Sequence, residues 1–146
     1  MGDVAEPELG REPELEPARE PELEVRAALA DAELNALFAA AWPGHGELSF
    51  APVLERSLAW VTARREGRLV GYVNVAWDGG VHAFVLDTTV HPQERRRGLG
   101  VRLVRAAAEA ARERGAQWLH VDYEPHLEPF YGQCGFRPTA AGLLAL

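Results

Sequence analysis

The stretch Thr88-Thr89-Val90-His91-Pro92-Gln93-Glu94-Arg95-Arg96-Arg97-Gly98-Leu99-Gly100-Val101 sets the reading of the whole chain. A β-branched run ends in His-Pro, and three arginines and two glycines then open into an alanine-rich helix. The first N–H groups of a helix have no partner within it, and the helix dipole adds positive potential at that end. Glycine lets backbone approach a ligand closely, and arginine adds charge with a forked set of donors. The segment reads as a phosphate-binding turn between a strand and a helix.

Working outward, residues 99–114 predict the helix itself. Leu99, Leu103, Ala107 and Ala111 recur every fourth residue, Val104 and Ala108 widen the stripe, and Gly115 ends it. Upstream, alternating residues predict strands over 60–65, 69–77 and 81–90, with turns at Glu66-Gly67 and Asp78-Gly79-Gly80. A short first strand fits 23–28. Asp31 is placed to cap a helix over 32–41, and Ser49 a second over 50–58. Downstream, 118–122 alternates as a strand, 125–133 suggests a short helix, and 135–146 suggests a closing pair of strands. The order gives an α+β domain with one mixed sheet.

The first 24 residues differ in kind: an imperfect Glu-Pro repeat holding nine acids against Arg11 and Arg19. That balance of −7 equals the formal charge of the whole 146-residue chain, so the remainder is neutral. Repeated proline and like charge predict a disordered tail over 1–24 and one folded domain over 25–146. The tail lacks the basic and apolar regions of a secretory signal, and no apolar run reaches the ~20 residues that span a bilayer. Cys134 is the single cysteine, so no intramolecular disulfide or cysteine-rich zinc site can form. A cytoplasmic protein is expected. A neutral domain with an acidic tail also argues against nucleic acid as the partner of the arginines.

Three glycine-loop readings compete. A P-loop ends in Gly-Lys-Ser/Thr, whereas Gly100 is followed by Val101-Arg102. A dinucleotide fingerprint needs a third glycine where Leu103 stands, and a parallel crossover that a hairpin strand cannot supply. The third pattern, Arg-x-x-Gly-x-Gly over Arg95 to Gly100, resembles the acetyl-CoA loop of the GNAT superfamily of N-acyltransferases. Phe130-Tyr131-Gly132-Gln133-Cys134-Gly135-Phe136, after the next strand, is similar to that family's aromatic-Tyr-x-x-x-Gly-Phe segment. The resemblance covers about residues 25–146. It implies a single GNAT-like domain in three α/β/α layers, with helices on both faces of a mostly antiparallel mixed sheet.

The resemblance further implies that Arg95, Arg96, Arg97, Gly98, Leu99, Gly100 and Val101 wrap the CoA pyrophosphate with backbone amides. Backbone groups of Thr88, Thr89 and Val90 would pair with the pantetheine arm, on a strand that a bulge splays from its neighbour. Tyr131 matches the tyrosine usually assigned as general acid toward the CoA sulfur. Asp87 stands where members accepting cationic amines often carry acids. Glu124 replaces an asparagine that in many members contacts the cofactor arm, and it offers a second acid for an amine or a rim carboxylate. Helix-and-loop residues Phe38, Trp42 and His45 would wall the acceptor pocket or lie in the core.

Transfer from a thioester requires a neutral amine. A lysine-like amine of pKa ~10.4 carries a penalty of roughly 4–5 kcal/mol at pH 7. A carboxylate or water-relayed base addresses this, a proton donor assists the leaving thiolate, and a backbone N–H steadies the oxyanion. His120 and His126 are further base candidates. Cys134 reads as a small buried residue, because direct transfer needs no covalent intermediate. No metal-ligand spacing occurs. The reading is an acetyl-CoA-dependent N-acetyltransferase acting on a primary amine of a small cationic molecule. The alternative is a non-catalytic CoA-binding module of the same fold, and the closing strands offer an edge for a homodimer.

Overall fold

A computed structural model describes residues 19–146. The elements are β1 (Glu22–Val25), α1 (Asp31–Ala41), α2 (Ala51–Arg56), β2 (Ser57–Arg65), β3 (Arg68–Trp77) and β4 (His82–Val90), followed by α3 (Leu99–Glu113), β5 (Trp118–Val121) and α4 (Glu128–Gln133). Short 3-10 turns lie at Pro92–Glu94 and Pro125–Leu127. One sheet runs in the order β1-β2-β3-β4-β5, antiparallel except for the parallel β4–β5 pair. The mixed sheet and its helices match the expected α+β fold. Among the described residues no helix is long and apolar enough to cross a membrane.

Burial explains the strand patterns. β2 and β3 are covered on both faces and are nearly continuous apolar runs. Their turn places Glu66 at φ +50° and Gly67 at φ +80°, the pair of left-handed residues that matches strand twist. α3 covers one face with Leu99, Leu103, Val104, Ala107, Ala110 and Ala111. It approaches so closely that a Cβ on Gly71 would lie 2.8 Å from Leu103 Cδ1. On the other face, Leu34, Leu37 and Phe38 of α1 pack with Phe50, Leu69 and Tyr72. β4 alternates because its second face extends past α1: Ala83 and Val85 meet the α3 core, while His82, Phe84 and Leu86 are exposed.

Several expectations are corrected. β1 begins at Glu22, inside the stretch assigned to the acidic tail; Pro21 is buried, and its carbonyl accepts from Arg102 at 3.1 Å. The remainder of that tail, residues 1–18, lies outside the described residues. Asp31 does not cap α1. Its Oδ1 accepts from the Phe50 N–H at 3.0 Å, joining α1 to α2, and Glu33 reaches back to the Ala30 N–H instead. α2 starts after Phe50 without a side-chain cap from Ser49. The closing strands do not form: residues 137–146 have no regular structure and are exposed, with Leu143 and Leu144 at 87% and 85%. Pro138 lacks an N–H, and Ala140-Ala141-Gly142 has low strand preference. The edge expected to support a homodimer is therefore not built within this chain.

Candidate active site

β4 carries the site's backbone. Tyr72 pairs with Thr89 and Asn74 with Leu86, so Val73 faces both Asp87 and Thr88 across a bulge. Asp87 takes φ +57°, and the Thr89 hydroxyl holds that turn by donating to the Asp87 carbonyl at 2.8 Å. The parallel pairing with β5 runs only from His82↔Trp118 to Val85↔Val121. Past Leu86, the β4 edge that would face β5 is open, leaving main-chain groups of Thr88 to Val90 available to an extended polar arm. A bulge and splay of this kind are what the family resemblance implied.

The loop that follows is braced from beneath. Glu94 is buried and takes a bidentate contact from Arg65, Nε to Oε1 at 2.6 Å and Nη2 to Oε2 at 2.9 Å. The Arg65 hydrogen bonds hold its carboxyl below the usual range, although burial opposes them. His91 is buried and accepts the Gln93 N–H at Nδ1 (3.1 Å). Burial, then the charge of Arg68, lower its pKa and keep it neutral. Arg96 and Gly98 adopt φ +64° and +79°, and Gly98 begins α3 with no side-chain cap. The Arg102 N–H bonds the Gly98 carbonyl at 3.2 Å, and the N–H groups of Leu99 to Val101 before it point out of the helix end. Arg95, Arg96 and Arg97 are exposed around them. Arg95 leans toward the Ala41 carbonyl (3.5 Å), and Arg97 stands 3.8 Å from Glu94. The Leu99 side chain is buried in the core, so only its backbone faces the loop.

Gly100 has a second cause. A Cβ there would lie 2.9 Å from Phe130 Cε2, so α4 crosses α3 at this residue. That crossing seats Tyr131 in an aromatic cluster, stacked on Tyr123 (5.0 Å between ring centres) and edge-on to Phe130 and Phe136. Its hydroxyl donates toward Thr88 Oγ1 at 3.4 Å. Burial raises its pKa, and the Thr88 contact partly offsets this.

The remaining candidates are dispersed. Burial raises the Asp87 pKa. Its charge also reaches Tyr72, whose pKa is pushed up first by burial and then by Asp87. Glu124 is exposed and makes no capping contact with the turn it precedes, which leaves it a rim carboxylate. His120 stacks on Phe84 and hydrogen-bonds His82 (2.8 Å), while His126 is exposed in the 3-10 turn. Phe38 is core, Trp42 is 38% exposed, and His45 contacts Asn35 at 2.9 Å. Burial also raises the Cys134 thiol pKa, which reduces thiolate and its nucleophilicity.

Four contributors were not picked out from the sequence. Glu94 and Arg65 pair across 29 positions of the chain. Asn35 fastens the loop after α1 by exchanging bonds with the Leu48 N–H and carbonyl (2.9 and 2.8 Å). Tyr72 is 1% exposed, and its hydroxyl has no hydrogen-bond partner among the described residues.

A family model described as Acetyltransferase (GNAT) family matches residues 25–136. A protein of Oryza sativa subsp. japonica named "Probable glucosamine 6-phosphate N-acetyltransferase 2" is 41% identical over 58 residues, 40% of this chain and 35% of its own length. A mycothiol acetyltransferase of Mycolicibacterium vanbaalenii is 35% identical over 65 residues, 44% of this chain and 22% of its own. The chain thus spans about a third or less of these relatives. Among solved structures, an acetyltransferase of Trypanosoma brucei superposes with TM-score 0.71 at 24% identity, covering 86% of this chain and 100% of that one. The aminoglycoside N-acetyltransferase AAC(6')-Iy, solved with CoA, gives 0.68 at 19% identity over 88% and 96%.

Proposed function

Because the chain belongs to the GNAT family of acetyltransferases, we propose that it binds acetyl-CoA and transfers the acetyl group directly to a primary amine. The observation that carries this reading is the convergence at the splay. The open edge of β4, the uncapped start of α3 and the Tyr131 hydroxyl beside Thr88 meet where β4 and β5 part. These residues fit the group. The N–H groups of Gly98 to Val101, with Arg96 and Arg97, would hold the pyrophosphate, and main-chain groups of Thr88, Thr89 and Val90 the pantetheine arm.

Bound acetyl-CoA supplies an acetyl carbon activated as a thioester. The chain's own residues handle protons and charge around it. One C–N bond forms as one C–S bond breaks. Tyr131, protonated across the physiological range, donates to the departing sulfur. Asp87 attracts the ammonium form of the acceptor and takes up its proton, directly or through water. Glu124 stands on the rim as a second acid. One dominant carboxylate at the bulge suits a small cationic acceptor.

Purified protein is titrated with CoA by calorimetry and assayed for thiol release from acetyl-CoA over a panel of primary amines. Binding with amine-dependent release supports transfer. CoA binding without release for any amine would favour a non-catalytic CoA-binding module, the reading that the uncontacted Glu124 favours.

A further inference from the structure

The first described residues lie against arginines at the start of α3. Arg65 Nη1 donates to the Arg19 carbonyl, while Nε and Nη2 of the same guanidinium hold Glu94 beneath the loop. Arg102 Nη2 donates to the Pro21 carbonyl at 3.1 Å, and Arg102 Nη1 lies 3.7 Å from Glu20 Oε2. Arg65, Arg97 and Arg102 wall one pocket with Glu20 and Leu99. Residues 1–18 therefore join the domain beside the arginine loop. They do so just before β1, at the edge of the sheet farthest from β5.

Charge says what this face receives. Arg95 and Arg96 have no ion pair among the described residues, and Arg97 shares Glu94 with Arg65. Residues 1–18 carry Asp3, Glu6, Glu8, Glu12, Glu14 and Glu16 against Arg11. Extended chain covers about 10 Å in about three residues. Glu16 and Glu14 thus come within reach of a loop whose Arg97 shares a pocket with Glu20. The anchors to Arg65 and Arg102 run through the main-chain carbonyls of Arg19 and Pro21, so they survive neutralisation of the acids upstream.

We propose that the loop arginines are a docking surface for the chain's own residues 1–18, whose carboxylates occupy Arg95, Arg96 and Arg97 until CoA phosphates displace them. Docked carboxylates and CoA phosphates need the same guanidinium donors, so each excludes the other. Joined at Arg19, the segment acts at an effective concentration on the order of millimolar, and salt weakens it. The docking is independent of catalysis. Its consequence for CoA rests on the acetyltransferase reading.

Calorimetry compares CoA binding by the wild-type chain, by Glu14→Gln/Glu16→Gln and by a charge-matched control, Glu109→Gln/Glu113→Gln. Helix rise puts the control positions roughly 15 and 21 Å from Leu99, beyond the ~10 Å Debye length at about 0.1 M salt. At that salt the tail pair should tighten CoA about fivefold, and the control less than about 1.5-fold. Neutralising all six tail acids should tighten it about 20-fold. At about 1 M salt, wild type and tail variants should agree within about twofold. A synthetic peptide of residues 1–18, added to the six-site variant, should weaken CoA competitively. Equal tightening by the tail and control pairs would make global charge the cause and overturn the proposal. Tail acids without effect on CoA would overturn it too. If neither wild type nor the six-site variant binds CoA, the acetyltransferase reading fails separately. Fluorescence anisotropy of labelled peptide 1–18 on the six-site variant then decides the inference. Saturable binding that Arg96→Gln/Arg97→Gln weakens about tenfold supports it, and binding that is absent or unchanged overturns it.

Discussion

The Tyr131 hydroxyl stands 3.4 Å from Thr88 Oγ1, joining α4 to the strand at the point where β4 leaves β5. The two residues are 43 positions apart, and neither contact nor splay is local. The ring is held by Tyr123, Phe130 and Phe136, so the phenol is aimed by packing. A proton donor fixed in this way needs little reorganisation when a thiolate departs.

Tyr131→Phe keeps the ring and removes only the hydroxyl. The expected result is kcat lowered ~10²–10⁴-fold with CoA affinity unchanged, read by thiol release and calorimetry. An unaltered rate would take Tyr131 out of the proton path.

Asp87 remains exposed at the bulge with φ +57°, a backbone that aspartate tolerates, and partial burial of its carboxyl raises its pKa. A folded-state pKa above the unfolded value means the ionised carboxylate weakens the fold at neutral pH, and stability is regained as pH falls through the raised pKa. Asp87→Asn removes the charge and tolerates the left-handed backbone. Asp87 is partly open to solvent, so the variant should melt at or slightly above the wild-type temperature at pH 7 while turning over far more slowly. With a weakly basic acceptor, wild-type kcat should lose activity on the acid side above the ordinary carboxylate range, and the variant should lack that limb. A lower melting point together with full activity would contradict both assignments.

The legible parts of the chain were those set by local pattern. The α3 stripe, the alternation of β4 and the Glu66-Gly67 turn follow from periodicity and backbone chemistry, and they place the loop between strand and helix. The Arg-x-x-Gly-x-Gly run and Tyr131 were visible as motifs. Asp31 looked like a cap because capping is a local rule, but the fold uses it 19 residues away on Phe50. The Glu94–Arg65 brace and the Tyr72 orphan arise from pairing across strands, which no window along the chain contains. The closing strands failed for a related reason. A run of leucines suggests a strand, but a strand also needs a partner edge, and β5 is only four residues long.

Gly100 and Phe130 should be energetically coupled. A Cβ at 100 would sit 2.9 Å from Cε2 and 3.0 Å from Cζ of a ring already packed against Tyr131. Alanine gains about 1 kcal/mol of helix propensity over glycine, whereas overpacking of a fitted site costs about 1–3 kcal/mol. Gly100→Ala should therefore lose net stability in denaturant melts and, by shifting Phe130, reduce turnover. Adding Phe130→Leu should recover part of the loss, with a coupling of about 1 kcal/mol. Strict additivity of the two changes would mean that the ring yields freely and that Gly100 serves the ligand alone.

Glu94 makes the loop's brace sensitive to acid. Its folded-state pKa is depressed, chiefly by the hydrogen bonds from Arg65, and its side chain is only 7% exposed. For a depressed carboxylate, the stabilisation is fully present above the unfolded value near 4.5 and is lost as pH falls through the folded pKa. Glu33, paired with Arg64 at 2.7 Å, shifts the same way but is more exposed and adds less. Glu94→Gln should lower the melting temperature by about 5 °C at pH 7. The gap between wild type and variant should then close as pH falls below 4.5, as wild type loses its ion pair and the variant has none to lose. Because the turn over Pro92–Glu94 sets the start of the arginine loop, the variant should also bind CoA more weakly at pH 7. A gap that stays constant across that range would mean the pair contributes no charge-dependent stability, and the loop's shape would then rest on His91 and Gly98.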